Sequence, residues 1–289
     1  MTTYSYYPGC SLEGTSKEYD RSTRLVCQAL GVELQELEDW NCCGASSGHH
    51  VSALLNVAVP ARNLLIAEKA GRPLTVPCPA CYLRLKEARH EAKAPAMQAQ
   101  LTEVLGEPLQ DEVTVELLLA TLSQPSVLAE MQRKVVKPLK GLKPVSYYGC
   151  LMVRPPEIVQ FDDPEDPRSM DRLLTLLGAA VIDWPFKTEC CGGSLTFARE
   201  DITLKLSRDL LAAAKERGAN CLVVACPLCH SNLDTRQGHI AKKYGENYAL
   251  PIYYFTELMG IAFGLSPQAL LIDKHLTESV GLLKSLELV

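Results

Sequence analysis

The chain has 289 residues and a formal net charge of -5, with a pI near 5.8, which excludes a nucleic-acid surface because phosphate binding needs clustered Lys and Arg. Hydrophobic residues make up 47% and charged residues 22%, and mean hydropathy is +0.01, the balance of a folded globular protein and not of a disordered one. At roughly 150 residues per domain this length predicts two domains.

The predicted elements form two similar series. Thr3 to Tyr7 reads as a short strand and Ser22 to Leu30 as a helix. Ala61 to Ala70 reads as a helix with Pro60 as its first residue and Gly71 as a left-handed cap. Pro73 to Pro77 is a mostly apolar strand that ends at Cys78-Pro79-Ala80-Cys81, where a new helix starts. A linker falls within Ser123 to Lys143. Val145 to Tyr148 is again a strand, Pro155 to Pro167 a Pro-rich acidic loop, and Met170 to Leu177 a helix. Ile202 to Arg217 is a helix closed by Gly218, and the strand Cys221 to Ala225 ends at Cys226-Pro227-Leu228-Cys229, which opens another helix. Strand alternating with helix implies parallel sheets. The expected fold is α/β, with two similar domains (1-130 and 140-289), each a small parallel sheet flanked by helices and related by pseudo-twofold duplication. Functional groups in such sheets gather at the carboxyl ends of strands.

Met1 to Cys10 shows neither the basic start nor the apolar run of a signal peptide. The best apolar run, Leu258 to Leu265, is bounded by Glu257 and Ser266, well short of the ~18 residues of a membrane helix. The expected location is cytoplasmic, where ordinary thiols stay reduced, so 12 cysteines call for a role other than disulfides.

Ten of them fall into two matching sets. Cys10, Cys42-Cys43 and Cys78/Cys81 are echoed by Cys150, Cys190-Cys191 and Cys226/Cys229. The vicinal pairs and the C-x-x-C pairs are both offset by 148 positions, whereas the first cysteines are offset by 140; the second half therefore has eight extra residues, which the Pro155 to Pro167 loop can hold. Local words repeat as well: Tyr6-Tyr7-Pro8-Gly9-Cys10 against Tyr147-Tyr148-Gly149-Cys150, and Cys42-Cys43-Gly44 against Cys190-Cys191-Gly192.

Burial alone imposes no such spacing, although it accounts for Cys27 and Cys221, which lack counterparts in the other half. Zinc takes four ligands in a closed tetrahedron, while each half offers five thiols, two of them adjacent and badly placed to bite one small ion; a cluster of several irons offers separate sites for both. A thioredoxin-like dithiol at each C-x-x-C would explain only four cysteines.

The words C-x31-C-C-G-x33-C-P-x-C and C-x39-C-C-G-x33-C-P-x-C resemble the duplicated cysteine-rich CCG domain, and the whole chain is similar to the family of the B subunit of heterodisulfide reductase. The resemblance implies that Cys10, Cys42, Cys43, Cys78 and Cys81, and likewise Cys150, Cys190, Cys191, Cys226 and Cys229, each bind a noncubane [4Fe-4S] cluster. The two clusters would face each other across a pseudo-twofold interface. It further implies disulfide-type chemistry on a small or protein-bound sulfur substrate, reductive as in methanogens or oxidative as in sulfur-oxidising bacteria. The implied partners are the other two components of such a complex, a small iron-sulfur protein (the C subunit) and a flavoprotein (the A subunit). The family pattern has a His after the first cysteine of the second half, where Leu151 stands here; that departure concerns the substrate. Similar domains also occur in proteins that relay electrons for organic-acid dehydrogenases without disulfide cleavage, and a structural zinc module is a third possibility.

The chain lacks the C-x2-C-x2-C-x3-C-P run of ferredoxin cubanes, so electrons must be exchanged with another protein. His49, His50 and His230 follow cluster words, where an imidazole could deliver protons or meet an anionic substrate; Arg154 and Lys187 are candidates for binding a substrate anion. The tyrosines at the strand ends read as packing.

Overall fold

The computed structural model describes residues 2-45 and 48-289, and of His49 only the backbone. Two parallel sheets organise the chain. In the first half, β1 (Thr2-Tyr6), β2 (Val32-Glu36), β3 (Leu74-Val76) and β4 (Val115-Leu117) lie in the order β2-β1-β3-β4. In the second, β5 (Pro144-Tyr147), β6 (Cys221-Val224) and β7 (Ile252-Tyr254) lie in the order β5-β6-β7. Strands β3, β5 and β6 are wholly buried, as strands covered on both faces must be. Edge strand β2 instead turns Glu33, Gln35 and Glu36 outward, which blunts an open edge.

The second sheet repeats β1, β3 and β4 as β5, β6 and β7. The segment equivalent to β2 still runs beside β5, where the amides of Ala180 and Ile182 donate to the carbonyls of Leu142 and Pro144 at 2.9 and 2.8 Å. The duplication thus extends to the topology.

Two local expectations are corrected. The helix expected to begin at Pro60 spans Ala53-Ala70, capped by the Ser52 hydroxyl, which accepts the Leu55 amide at 3.1 Å; Pro60 lies inside it. An interior proline costs ~3 kcal/mol, and the cap together with burial of Val57, Ala58 and Ala61 outweighs it. The Pro155 to Pro167 segment is also more than a loop. It carries a helical turn, Pro156-Val159, docked on the Pro79-Glu91 helix of the first half, where the Tyr82 hydroxyl donates to the Val159 carbonyl at 2.7 Å.

The halves share one continuous hydrophobic core. Across it Tyr19 stacks on Tyr254 at 4.1 Å and the Ser22 and Thr256 hydroxyls lie 2.7 Å apart, joining the Lys17-Ala29 helix to the Phe255-Ala262 helix. Among the described residues no helix is long and apolar enough to cross a membrane.

Candidate metal centres where the halves meet

Every cysteine word except Cys190-Cys191 follows the carboxyl end of a strand. Cys10 comes just after β1, Cys42-Cys43 after β2 and Cys78 after β3. Because these three strands are neighbours in one parallel sheet, residues more than sixty positions apart arrive together. Cys150 and Cys226 follow β5 and β6 in the same way. The second cysteine of each C-P-x-C word stands on the first turn of a helix, Pro79-Glu91 or Pro227-Thr235, with proline at its first position.

The sulfurs pair closely. Cys42 Sγ is 3.7 Å from Cys10 Sγ and Cys43 Sγ is 3.3 Å from Cys81 Sγ. In the second half Cys191 Sγ is 3.6 Å from Cys229 Sγ, and Cys150 interacts with Cys190. Cys43, Cys78 and Cys81, like Cys191, Cys226 and Cys229, are buried, whereas Cys10, Cys42 and Cys190 are exposed. The two quintets adjoin: Pro79, next to Cys78, lines one small cavity with Cys150, Cys190, Cys226 and Cys229, and the nearby Cys226 and Cys81 thiols draw Cys78 well below the usual thiol range. The outward members Cys42 and Cys190 are lowered by their interactions with Cys10 and Cys150, and the amides of Gly44 and Gly192, which donate to them at 3.5 and 3.3 Å, add to this. Cys27 and Cys221 differ. Burial alone pushes Cys221 up, and burial drives Cys27 up to about 12, as expected of inert core thiols.

Matching scaffold residues hold both vicinal pairs. The Tyr7 hydroxyl donates to the Asn41 carbonyl at 2.7 Å and its counterpart Tyr147 to the Glu189 carbonyl at 2.6 Å, each acceptor immediately preceding a vicinal pair. Asn63, fully buried, accepts the Asn41 amide and donates to its carbonyl at 2.9 and 2.8 Å. Asn232 donates to the Cys191 carbonyl at 3.3 Å and faces its sulfur at 3.6 Å. No spacing rule singles out these asparagines, because their partners come from remote loops.

Glycine is required beside each first cysteine. Gly9 and Gly149 have φ of +72° and +68°, and a Cβ on them would lie 2.8 Å from Cys81 Sγ and 3.0 Å from Cys229 Sγ. Gly9→Ala combines a left-handed backbone cost of about 1-2 kcal/mol with displacement of a thiol from its quintet. The expected outcome is iron loss from that half at nearly unchanged helix content, measured by iron analysis and circular dichroism; an alanine variant with full iron content would contradict it.

The other candidates lie in varied settings. Lys187 is buried, with its ammonium 2.8 Å from Asp166, 2.7 Å from Asp171 and 3.4 Å from Asp183, while its carbonyl receives the Tyr148 and Gly149 amides. It thereby holds the loop that presents Cys150. Arg154 reaches Glu165 at 3.1 Å and the Thr188 hydroxyl at 3.2 Å. His230 is buried and stacked on Tyr254 at 4.3 Å. The His49 side chain lies outside the described residues. Leu151 lines a small cavity with Cys150, Cys190, Cys226 and, from the first half, Pro79.

The pattern of the CCG cysteine-rich domain matches twice, at residues 4-86 and 145-234. The chain belongs to the CCG cysteine-rich domain family. This CCG protein is 30% identical over 282 residues, 96% of its own length and 98% of the other, to the 8-methylmenaquinol:fumarate reductase membrane anchor subunit of Wolinella succinogenes. It is 27% identical to the B subunit of the ferredoxin/F(420)H(2)-dependent CoB-CoM heterodisulfide reductase of Methanosarcina acetivorans, covering 98% of this chain and 96% of that one. A protein of Archaeoglobus profundus that is itself like the B subunit of heterodisulfide reductase matches at 26% over 93% of each chain. The fold is also similar to a hypothetical protein from Helicobacter pylori, with a TM-score of 0.75 at 13% identity; the match covers 96% of the CCG protein and 52% of that chain.

The donor set of the CCG protein fits iron-sulfur chemistry. Each quintet is thiol-only, partly desolvated and already holds members with lowered proton affinity, which is what a ligand to a positively charged centre needs.

Proposed function

We propose that the chain is the iron-sulfur subunit of a heterodisulfide reductase-type complex, in which each cysteine quintet holds one noncubane [4Fe-4S] cluster. The observation that carries this is the small cavity that Pro79, next to Cys78, lines together with Cys150, Cys190, Cys226 and Cys229, so that the two quintets adjoin at the junction of the halves. When bound, such clusters supply single electrons from both sides of a substrate and so make or break a sulfur-sulfur bond. The chain's own residues do the positioning: Tyr7, Asn63, Tyr147 and Asn232 hold the vicinal pairs, and Lys187 holds the Gly149 loop. Leu151 and Pro79 line the approach to the second quintet with apolar surface that excludes water.

Exposed Cys10, Cys42 and Cys190 place the outer edges of both quintets within reach of a redox partner. The partners we assign are a small iron-sulfur protein and a flavoprotein, like the C and A subunits of heterodisulfide reductase, in the cytoplasm. The two domains of this reading are residues 1-130 and 140-289.

A second reading is favoured by the 30% identity to the fumarate reductase membrane anchor and by Leu151 at the mouth of the second quintet: an electron relay for an organic-acid or quinol system without disulfide cleavage. Turnover separates the two. The anaerobically purified complex is expected to reduce or form a disulfide when supplied with reductant or oxidant. Normal cluster reduction together with no reaction on any disulfide tested selects the relay. Two zinc ions and no iron per chain would reject both.

A further inference from the structure

A cavity of about 490 Å³ opens where the two halves meet, and no cysteine lines it. Its wall joins three remote stretches, contributing Glu18 from the start of the Lys17-Ala29 helix, His230 and Asp234 from the helix after the second C-P-x-C word, and Lys274 and His275 from the C-terminal segment. Behind the wall lies a buried ion pair: His275 Nε2 is 2.9 Å from Glu257 Oε1, and the two side chains are 1% and 0% exposed. Glu257 Oε2 accepts the Tyr254 amide at 2.8 Å, and His275 Nδ1 is 3.3 Å from the Ser279 hydroxyl.

From this pair an aromatic column runs to the thiols. The His275 ring meets the edge of His230 at 4.6 Å, His230 stacks on Tyr254 at 4.3 Å, and Tyr254 stacks on Tyr19 at 4.1 Å. The Tyr19 hydroxyl in turn donates to the carbonyl of Pro77, immediately before Cys78, at 3.3 Å. His230, although buried, lines the cavity, and its Nε2 has no hydrogen-bond partner. Of the other charged groups in the wall, Asp234 accepts the amides of Leu276 and Thr277 at 2.8 Å each, Lys274 pairs with Asp273 at 3.2 Å, and Lys17 stands beside Glu18.

We propose that this cavity is the proton-entry site of the protein, where Glu18 and His275 take up protons from solvent as the neighbouring thiol-held centres accept electrons. The inference rests on the iron-sulfur reading of the quintets. An electron added beside Cys78 and Cys226 raises the proton affinity of groups ~10-15 Å away about tenfold at an effective dielectric of ~20. The electron comes from a reductant, dithionite in the test below, and the proton from water, so the Glu18 carboxylate becomes a carboxylic acid and the added charge is neutralised.

The two groups divide the pH range. Burial holds Glu18 at about 7, with Glu257 and Asp234 adding to the effect and His275 opposing it. Burial opposes the charge on His275, but Glu257 outweighs it and holds the imidazole at about 9. Glu18 therefore responds around neutrality and His275 in the alkaline range. Both are positioning groups that act on the centres through space.

Midpoint potentials of the clusters in the intact, anaerobically purified protein test this, with dithionite and mediators as the redox buffer and electron paramagnetic resonance as the readout between about pH 6 and 10. A tenfold change in proton affinity is worth ~59 mV in a one-electron potential. The wild-type potential is expected to fall by up to that amount in each of two segments, near pH 7 and near pH 9. Glu18→Gln should flatten the first and keep the second; His275→Gln should do the reverse. Glu18 is only partly buried, so its variant keeps the test decisive if the His275 variant loses iron. A flat wild-type profile at full iron content, or a Glu18→Gln profile identical to wild type, overturns the proton-entry site and leaves the iron-sulfur reading standing. Protein devoid of iron overturns both.

Discussion

Cys78→Ala is expected to remove the iron of the first quintet and to shift the electron paramagnetic resonance signal of the second. Cys78 is 3% exposed and precedes Pro79, which packs against the second quintet, so no solvent ligand can replace its sulfur and no neighbour can move in without disturbing the other quintet. The iron content of anaerobically purified protein should fall by about half, as it should for Cys226→Ala. Cys27→Ala is the control. That thiol is 1% exposed and pushed up to about 12 by burial, so the variant should keep all its iron and lose only about 1 kcal/mol for the small void. Full iron in Cys78→Ala would remove the first quintet from the proposed cluster sites.

The second large effect is expected at the Glu257-His275 pair. Removing one partner of a buried ion pair costs about 3-5 kcal/mol, and Glu257→Leu also leaves the Tyr254 amide without its acceptor. Denaturation of the iron-loaded protein near pH 6 should show a loss of that size. The pH dependence has a definite sign. His275 is raised from 6.5 to about 9 by Glu257 against burial, so its contribution is fully present below pH 6.5 and is lost as pH rises through 9. A shift of this size corresponds to about 3 kcal/mol. Glu257→Gln should abolish that alkaline decline, and a variant declining in parallel with wild type would show that the pair does not control it.

Much of the architecture was legible because duplication supplies an internal comparison. Two copies of one spacing identify ten of the 12 cysteines as a set, and the strands before Cys10, Cys78, Cys150 and Cys226 follow from short apolar runs ending at these words. Strand β2 was not legible. Its polar edge pattern, with Glu33, Gln35 and Glu36 outward, gives no buried period to read. Pro60 misled for a related reason: a local rule places proline at a helix start, and burial against distant residues overrode it.

From the repeat alone two things could be read: which thiols form matching sets, and that the two halves are copies. Spacing is a one-dimensional property, and ligand sets repeat in one dimension. What faces what came from the folded chain. Lys187 turns inward to three carboxylates, Pro79 meets the second quintet, and Glu18, His230 and His275 line one cavity, the last because packing the Lys17-Ala29 helix on the Phe255-Ala262 helix brings together residues more than two hundred positions apart. Such contacts depend on the burial of two apolar faces against each other, and no local pattern encodes the partner of a face.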